Sequence, residues 1–147
     1  MIEPYRFSTK IRVRYNETDA QGHVNFAWFL IYFDIALVEY LRTLGYSYDD
    51  MLAEGLDMLY VDAHAAYHAP ARFDEVLRLH SRLGKLGSTS IRFDFQIFGD
   101  EDQRLVATGE ITVVVAQRKT YQKAPIPSRL RQAVAAYEED PTLVNSA

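Results

Sequence analysis

Asn25-Phe26-Ala27-Trp28-Phe29-Leu30-Ile31-Tyr32-Phe33-Asp34-Ile35-Ala36-Leu37-Val38-Glu39-Tyr40-Leu41-Arg42-Thr43-Leu44-Gly45 reads as one helix from Phe26 to Leu44, bounded at both ends. Asn25 belongs to the residue types that cap helix N-termini. Gly45 suits a left-handed stop, and Arg42 stands in the last turn, where the helix dipole favours a cation. The first two turns, Phe26 to Phe33, have no polar side. A surface helix shows one apolar stripe, so a helix apolar all round predicts enclosure. The rest of the chain must supply the wrapper.

Upstream, Ile11, Val13 and Tyr15 alternate with Lys10, Arg12 and Arg14, which predicts a half-buried strand over Lys10 to Asn16. Downstream, a short helical turn near Tyr48 to Glu54 precedes four strand-like segments: Met58–Tyr67, Val76–Leu83, Ser90–Phe98 and Arg104–Gln117. The third alternates most cleanly, with Ile91, Phe93, Phe95 and Ile97 against Arg92, Asp94, Gln96 and Phe98. Gly99 to Asp102 reads as a solvated hairpin turn, and Gly84 to Gly87 frames another. Pro70 marks a break, because proline cannot donate in a central ladder. Pro127 opens a final amphipathic helix with Leu130, Val134 and Tyr137 on one side, ending before Pro141. The order β-α-β-β-β-β-α predicts an α+β fold. About five antiparallel strands would curl around one long central helix, in a single domain over residues 1–147.

The chain has 147 residues, 48% of them hydrophobic, with no cysteine and a net charge of −4. Without cysteine there is no disulfide scaffold, thiol nucleophile, cysteine-ligated zinc or iron–sulfur cluster. The acidic balance lacks the electrostatic footprint of a nucleic-acid binder. Asp34, Glu39 and Arg42 interrupt the most apolar stretch too centrally for a membrane span. Met1 to Thr9 lacks the apolar core of a signal peptide, so a cytoplasmic location is expected.

Gly-x-Ser-x-Gly, Gly-x-Gly-x-x-Gly and phosphate-loop patterns are all missing. Asp62, His64 and His68 could share one strand face as a loose metal constellation. Same-face neighbours on a strand lie about 7 Å apart, however, and polar residues on a pleated face are the simpler reading. No metal or cofactor is expected. The loop before the apolar helix is the stronger candidate, because Asp19, His23 and Asn25 fall within seven residues. Unpaired N–H groups at a helix start can bind a carbonyl oxygen or oxyanion, and a carboxylate beside them suits attack on an ester-like carbonyl. On spacing alone a structural role is the favoured reading, with Asn25 as a cap, Asp19 in an Asx-turn and His23 as a loop polar group.

Tyr15-Asn16-Glu17-Thr18-Asp19-Ala20-Gln21-Gly22-His23-Val24-Asn25-Phe26 resembles the signature loop of the 4-hydroxybenzoyl-CoA thioesterase family, which has the hotdog fold. Ala69-Pro70-Ala71-Arg72-Phe73-Asp74 resembles a second marker, particularly of the acyl-CoA thioesterases associated with the Tol-Pal system. Weaker echoes lie in Gly87 to Ser90 and Lys123 to Pro127, so the resemblance runs from Ile11 to Tyr137. It implies hydrolysis of acyl-CoA, with Asp19 as nucleophile or as general base toward water. The backbone N–H of Phe26 would polarise the thioester carbonyl. Tyr15, His23, Asn25 and Phe26 are the implied substrate-binding residues, with Tyr15 as a wall or hydrogen-bond donor. One departure stands out. Tol-Pal-type members often carry histidine at the position of Phe26, whereas here histidine comes earlier, at His23, a form found in other acyl-thioesterase branches. The resemblance also implies homodimers joined sheet edge to sheet edge, or homotetramers, with the site between protomers. The coenzyme phosphates would lie near Lys85, Arg92, Arg118 or Lys119. Two other functions compete: hydration or dehydration of an acyl thioester, and acyl-CoA binding without turnover.

Overall fold

Residues 5–144 are described by a computed structural model. Five strands, β1 (Phe7–Arg12), β2 (Leu56–Tyr67), β3 (Val76–Leu86), β4 (Ser90–Gly99) and β5 (Leu105–Gln117), make one antiparallel sheet in the order β1-β3-β4-β5-β2. Helix α1 (Trp28–Leu44) packs against all five strands. Two shorter helices follow, α2 (Tyr48–Ala53) and α3 (Ser128–Glu138). Alternation along the strands sets which face is buried. Leu79 pairs with Ile97, Leu83 with Phe93, Phe93 with Ile111 and Ile91 with Val113, all buried. Onto this face α1 lowers Phe29, Tyr32, Phe33, Ala36, Leu37, Tyr40 and Leu41. Phe33 stacks on Phe95 with ring centroids 4.9 Å apart, directly over Gly109 of β5.

The expected antiparallel sheet of five strands is present, but the simple order β-α-β-β-β-β-α is too spare. A 3-10 turn over Tyr15–Glu17 and the separate helix α2 interrupt it, and a second 3-10 turn (Pro141–Val144) follows α3. The expected strand over Lys10 to Asn16 ends at Arg12. Beyond it Val13 bonds Asp74 and Glu75 through the backbone, and the Glu17 carboxylate accepts the Arg14 N–H, which pulls Tyr15 out of line. Gly84 is not in a turn either. It lies inside β3, at a register shift between Leu83 and Lys85.

Helix α1 also departs from expectation at its start and on its far side. It begins at Trp28, behind Ala27, which makes no side-chain cap. Asn25 acts one step earlier: its Oδ1 accepts the Ala27 N–H at 3.0 Å and its carbonyl accepts the Trp28 N–H at 3.0 Å. Enclosure on every side does not occur within one chain. Phe26 is 68%, Ile31 45% and Leu30 36% exposed, because the sheet lies against one side of the helix only. Gly45 ends α1 in the left-handed conformation, as its residue type suggests. Among the described residues no helix is long and apolar enough to cross a membrane.

Candidate active site

The segment Thr18 to Val24 folds as a miniature hairpin. Thr18 pairs with Val24, the Asp19 N–H donates to the His23 carbonyl at 2.9 Å, and the Gly22 N–H donates to the Asp19 carbonyl at 2.9 Å. Gly22 has φ +80°, a left-handed turn conformation that glycine adopts without a Cβ penalty. Asp19 Oδ1 accepts the Gln21 N–H at 2.9 Å, an Asx-turn that fixes one carboxylate oxygen. The hairpin docks on the Ala69 to Asp74 segment: His23 bridges to Arg72, and the Val24 N–H donates to the Ala71 carbonyl at 2.8 Å. The two most distinctive stretches of the sequence thus meet in space.

At their junction lies a cavity of about 360 Å³, walled by Asp19, His23, Phe26, Phe29, Tyr67 and His68 together with Ala69 and Pro70. Three of the five residues singled out in the sequence, Asp19, His23 and Phe26, line it. Asn25 stands behind the wall with its side chain engaged on Ala27. Tyr15 lies elsewhere: it is 79% exposed and edges onto Phe73 at 6.1 Å, over a separate groove. Tyr67 and His68 are lining residues that sequence patterns did not assign to this site. The Tyr67 hydroxyl donates to the Phe26 carbonyl at 2.9 Å, and His68 Nε2 lies 3.1 Å from the Thr108 hydroxyl. For this site their sequence signal is that they directly precede the Ala69-Pro70 marker; in the sequence pattern His68 belongs only to a loose metal constellation. Asp62, His64 and His68 do not converge, and among the described residues no group of three such side chains could hold a metal ion.

One feature bears on the chemistry of the cavity, and a second lies behind it. The Phe26 N–H donates to no acceptor among the described residues, whereas Ala27 and Trp28 both donate to Asn25. An unpaired N–H in the turn that leads into a helix is a group that can bind an anion or carbonyl oxygen. Behind the loop, the fully buried Tyr32 donates its hydroxyl to Glu17 at 2.8 Å. Burial, with the hydrogen bond and charge of Glu17, pushes the Tyr32 pKa far above the ordinary tyrosine range, so this hydroxyl keeps its proton.

Other concave surfaces fit less well. A larger cavity, about 880 Å³, is lined by charges many of which pair with one another: Arg104 with Glu75 and Asp102, and Arg12 with Asp74. Of the basic residues expected near coenzyme phosphates, Arg92 is tied to Asp94 and Glu110. Arg118 and Lys119 are exposed around another cavity of about 610 Å³, beside Gly55.

Asp19 and Phe26, whose N–H has no acceptor among the described residues, thus line one partly apolar cavity. Residues 13–134 match the Thioesterase-like superfamily, and the chain belongs to that family of thioester hydrolases. Among its relatives is "Acyl-CoA thioesterase YbgC" of Haemophilus influenzae, 30% identical over 109 residues, which span 74% of this chain and 80% of that protein. "Acyl-CoA thioester hydrolase YbgC" of Escherichia coli is 27% identical over 124 residues, 84% of this chain and 92% of that one. A 1,4-dihydroxy-2-naphthoyl-CoA thioesterase from Synechocystis shares the fold, with a TM-score of 0.81 and 23% identity over 88% of this chain and 95% of that one.

Proposed function

We propose that the chain hydrolyses acyl-CoA thioesters, with Asp19 supplying the attack and the Phe26 N–H holding the carbonyl oxygen. The observation that carries this reading is that Asp19 and Phe26, the latter with an unpaired N–H, line one cavity. The acyl-CoA names of the YbgC relatives support the coenzyme A part. As the carbonyl carbon becomes tetrahedral, negative charge builds on its oxygen, and a preorganised N–H stabilises it without reorganising. The Asp19 carboxylate either attacks that carbon, giving an anhydride that water opens, or takes a proton from an attacking water. In both routes the C–S bond breaks, the acyl group gains hydroxyl from water, and the coenzyme thiolate takes up a proton. With no cysteine in the chain, a thiol nucleophile is excluded.

Release of free thiol from short, long and aromatic acyl-CoAs tests this. Asp19→Asn is expected to lower the rate by about a hundredfold or more, the usual worth of a positioned base or nucleophile. An unchanged rate in that variant overturns the mechanism. A second reading, hydration of an enoyl thioester, is favoured by one observation: His68 shares the cavity with Asp19, giving a histidine and a carboxylate from distant segments. Water addition to an enoyl-CoA without thiol release would select it.

The active unit is proposed to be a homodimer. Strand β2 is an edge strand paired only with β5, and its Tyr60, Val61 and Tyr67 are exposed beside Phe26, Leu30 and Ile31. A long edge with unpaired backbone groups and an apolar flank is a template for another strand. A second copy adding its own β2 would cover the open side of α1 and wall the cavity at Phe26 and Tyr67. Sedimentation should give a dimer, and Ile31→Glu with Val61→Lys a monomer; a wild-type monomer with full activity overturns this assembly.

A further inference from the structure

We infer that Glu17, acting through Tyr32, is a positioning residue that sets Asp19 and the Phe26 N–H relative to one another; this rests on the thioesterase reading above. Glu17 is 3% exposed. A carboxylate is seldom buried so completely unless it is paired and hydrogen-bonded. Its Oε1 accepts the Tyr32 hydroxyl at 2.8 Å and the Arg14 N–H at 2.9 Å, and Oε2 faces Arg14 Nε at 3.6 Å. Its carbonyl accepts the Asn25 N–H at 2.9 Å. One residue therefore grips the turn that leads into Asp19, the residue that precedes Phe26, and the second turn of α1.

Glu17 and Tyr32 are both buried, and neither lines the cavity. Closing the hairpin does not need their side chains either, because backbone bonds make the Thr18–Val24 pairing, the Glu17 carbonyl to the Asn25 N–H among them, and the Val24–Ala71 bond. What the buried pair adds is a stiff tie between loop and helix. Hydrogen bonds to a charged acceptor are shorter and roughly twice as strong as neutral ones. The tie joins the segment bearing the attacking group to the helix that directly follows the oxyanion donor. Catalysis is sensitive to such placement, since a shift of about 1 Å can cost on the order of a hundredfold.

The test uses Tyr32→Phe, which removes the donor and keeps the ring, and Glu17→Gln, which keeps an acceptor and removes the charge. Rates are normalised to the folded fraction from circular dichroism. Each variant should lower kcat by roughly tenfold or more while KM stays within about twofold, the mark of an interaction felt in the transition state. On an Asp19→Asn background neither should lower the residual rate further. Wild-type kcat in both variants, or the same fold-loss on the Asp19→Asn background, overturns the inference and marks the pair as purely structural. A fully active Asp19→Asn overturns the proposed role of Asp19 and this inference together. An inactive Asp19→Asn with wild-type Tyr32→Phe and Glu17→Gln overturns this inference alone.

Discussion

Gly109→Ala measures how tightly α1 is seated on the sheet. Gly109 lies in β5 between Phe95 of β4 and Ala65 of β2. A methyl group there would stand 2.3 Å from Cε2 and 2.6 Å from Cζ of Phe33, and 2.5 Å from the His64 carbonyl oxygen. Favourable carbon contacts lie near 3.5–4.0 Å, so the overlap with the ring exceeds an ångström. The ring cannot swing aside, because Phe33 is fully buried and stacked on Phe95. Nor can the carbonyl, which sits in a strand paired with β5. Overpacking typically costs about 1–3 kcal/mol, and two rigid neighbours place this change near the upper end. For a chain of about 150 residues, each kcal/mol moves the midpoint by about 2–4 °C, so thermal denaturation should show a drop of about 6–12 °C. In a Phe33→Leu background the clashing ring atoms vanish while the His64 carbonyl remains. The double-mutant cycle should then show a favourable coupling of about 1–2 kcal/mol, with part of the cost persisting. A midpoint within about 2 °C of wild type, or strictly additive effects, would refute this packing account.

Three further outcomes follow from other contacts. Tyr40→Phe should cost about 1–3 kcal/mol in denaturant unfolding, because the buried Tyr40 hydroxyl accepts the Leu83 N–H at 3.2 Å, beside the β3 register shift, and donates to Glu138. Stability should fall as pH drops below about 6.5: burial, then the positive charge of Arg78, lower the pKa of His80 from its ordinary 6.5. The folded chain therefore binds fewer protons than the unfolded chain in that window, and the stability present above pH 6.5 is lost as pH falls through the lowered value; His80→Leu should flatten urea midpoints measured across it. Tyr67→Phe removes the donor to the Phe26 carbonyl, and steady-state kinetics should show a kcat severalfold lower while unfolding shifts by about 1 kcal/mol or less, since Tyr67 is half exposed.

Strand β4 was readable because its alternation is local and unbroken, and the end of α1 because Gly45 marks it. The loop of Asp19, His23 and Asn25 was legible as a cluster, and both of its structural readings hold in part: Asp19 does form an Asx-turn, and Asn25 does serve the helix start. The role of Glu17 was not legible. In sequence it is one more acid in a polar loop; its burial follows from Tyr32, which arrives only when α1 folds back over the turn. Tyr15 misled for the opposite reason. Its alternation with Val13 extends a strand on paper, but the side-chain bond from Glu17 to the Arg14 N–H outweighs that pattern.

By itself the amino-acid sequence determined the chemistry available: no thiol, a carboxylate before a greasy helix, and enough alternating apolar residues for one antiparallel sheet. Only the tertiary structure decided which groups share a cavity. Placing Tyr67 and His68 opposite Asp19 depends on the register of β2 against β5 and on the hairpin docking at Ala71. Such long-range pairings leave no local period. Tertiary structure also left one flank of α1 uncovered, because a sheet packed against one side of a helix cannot reach the other, and no pattern within the helix itself records that.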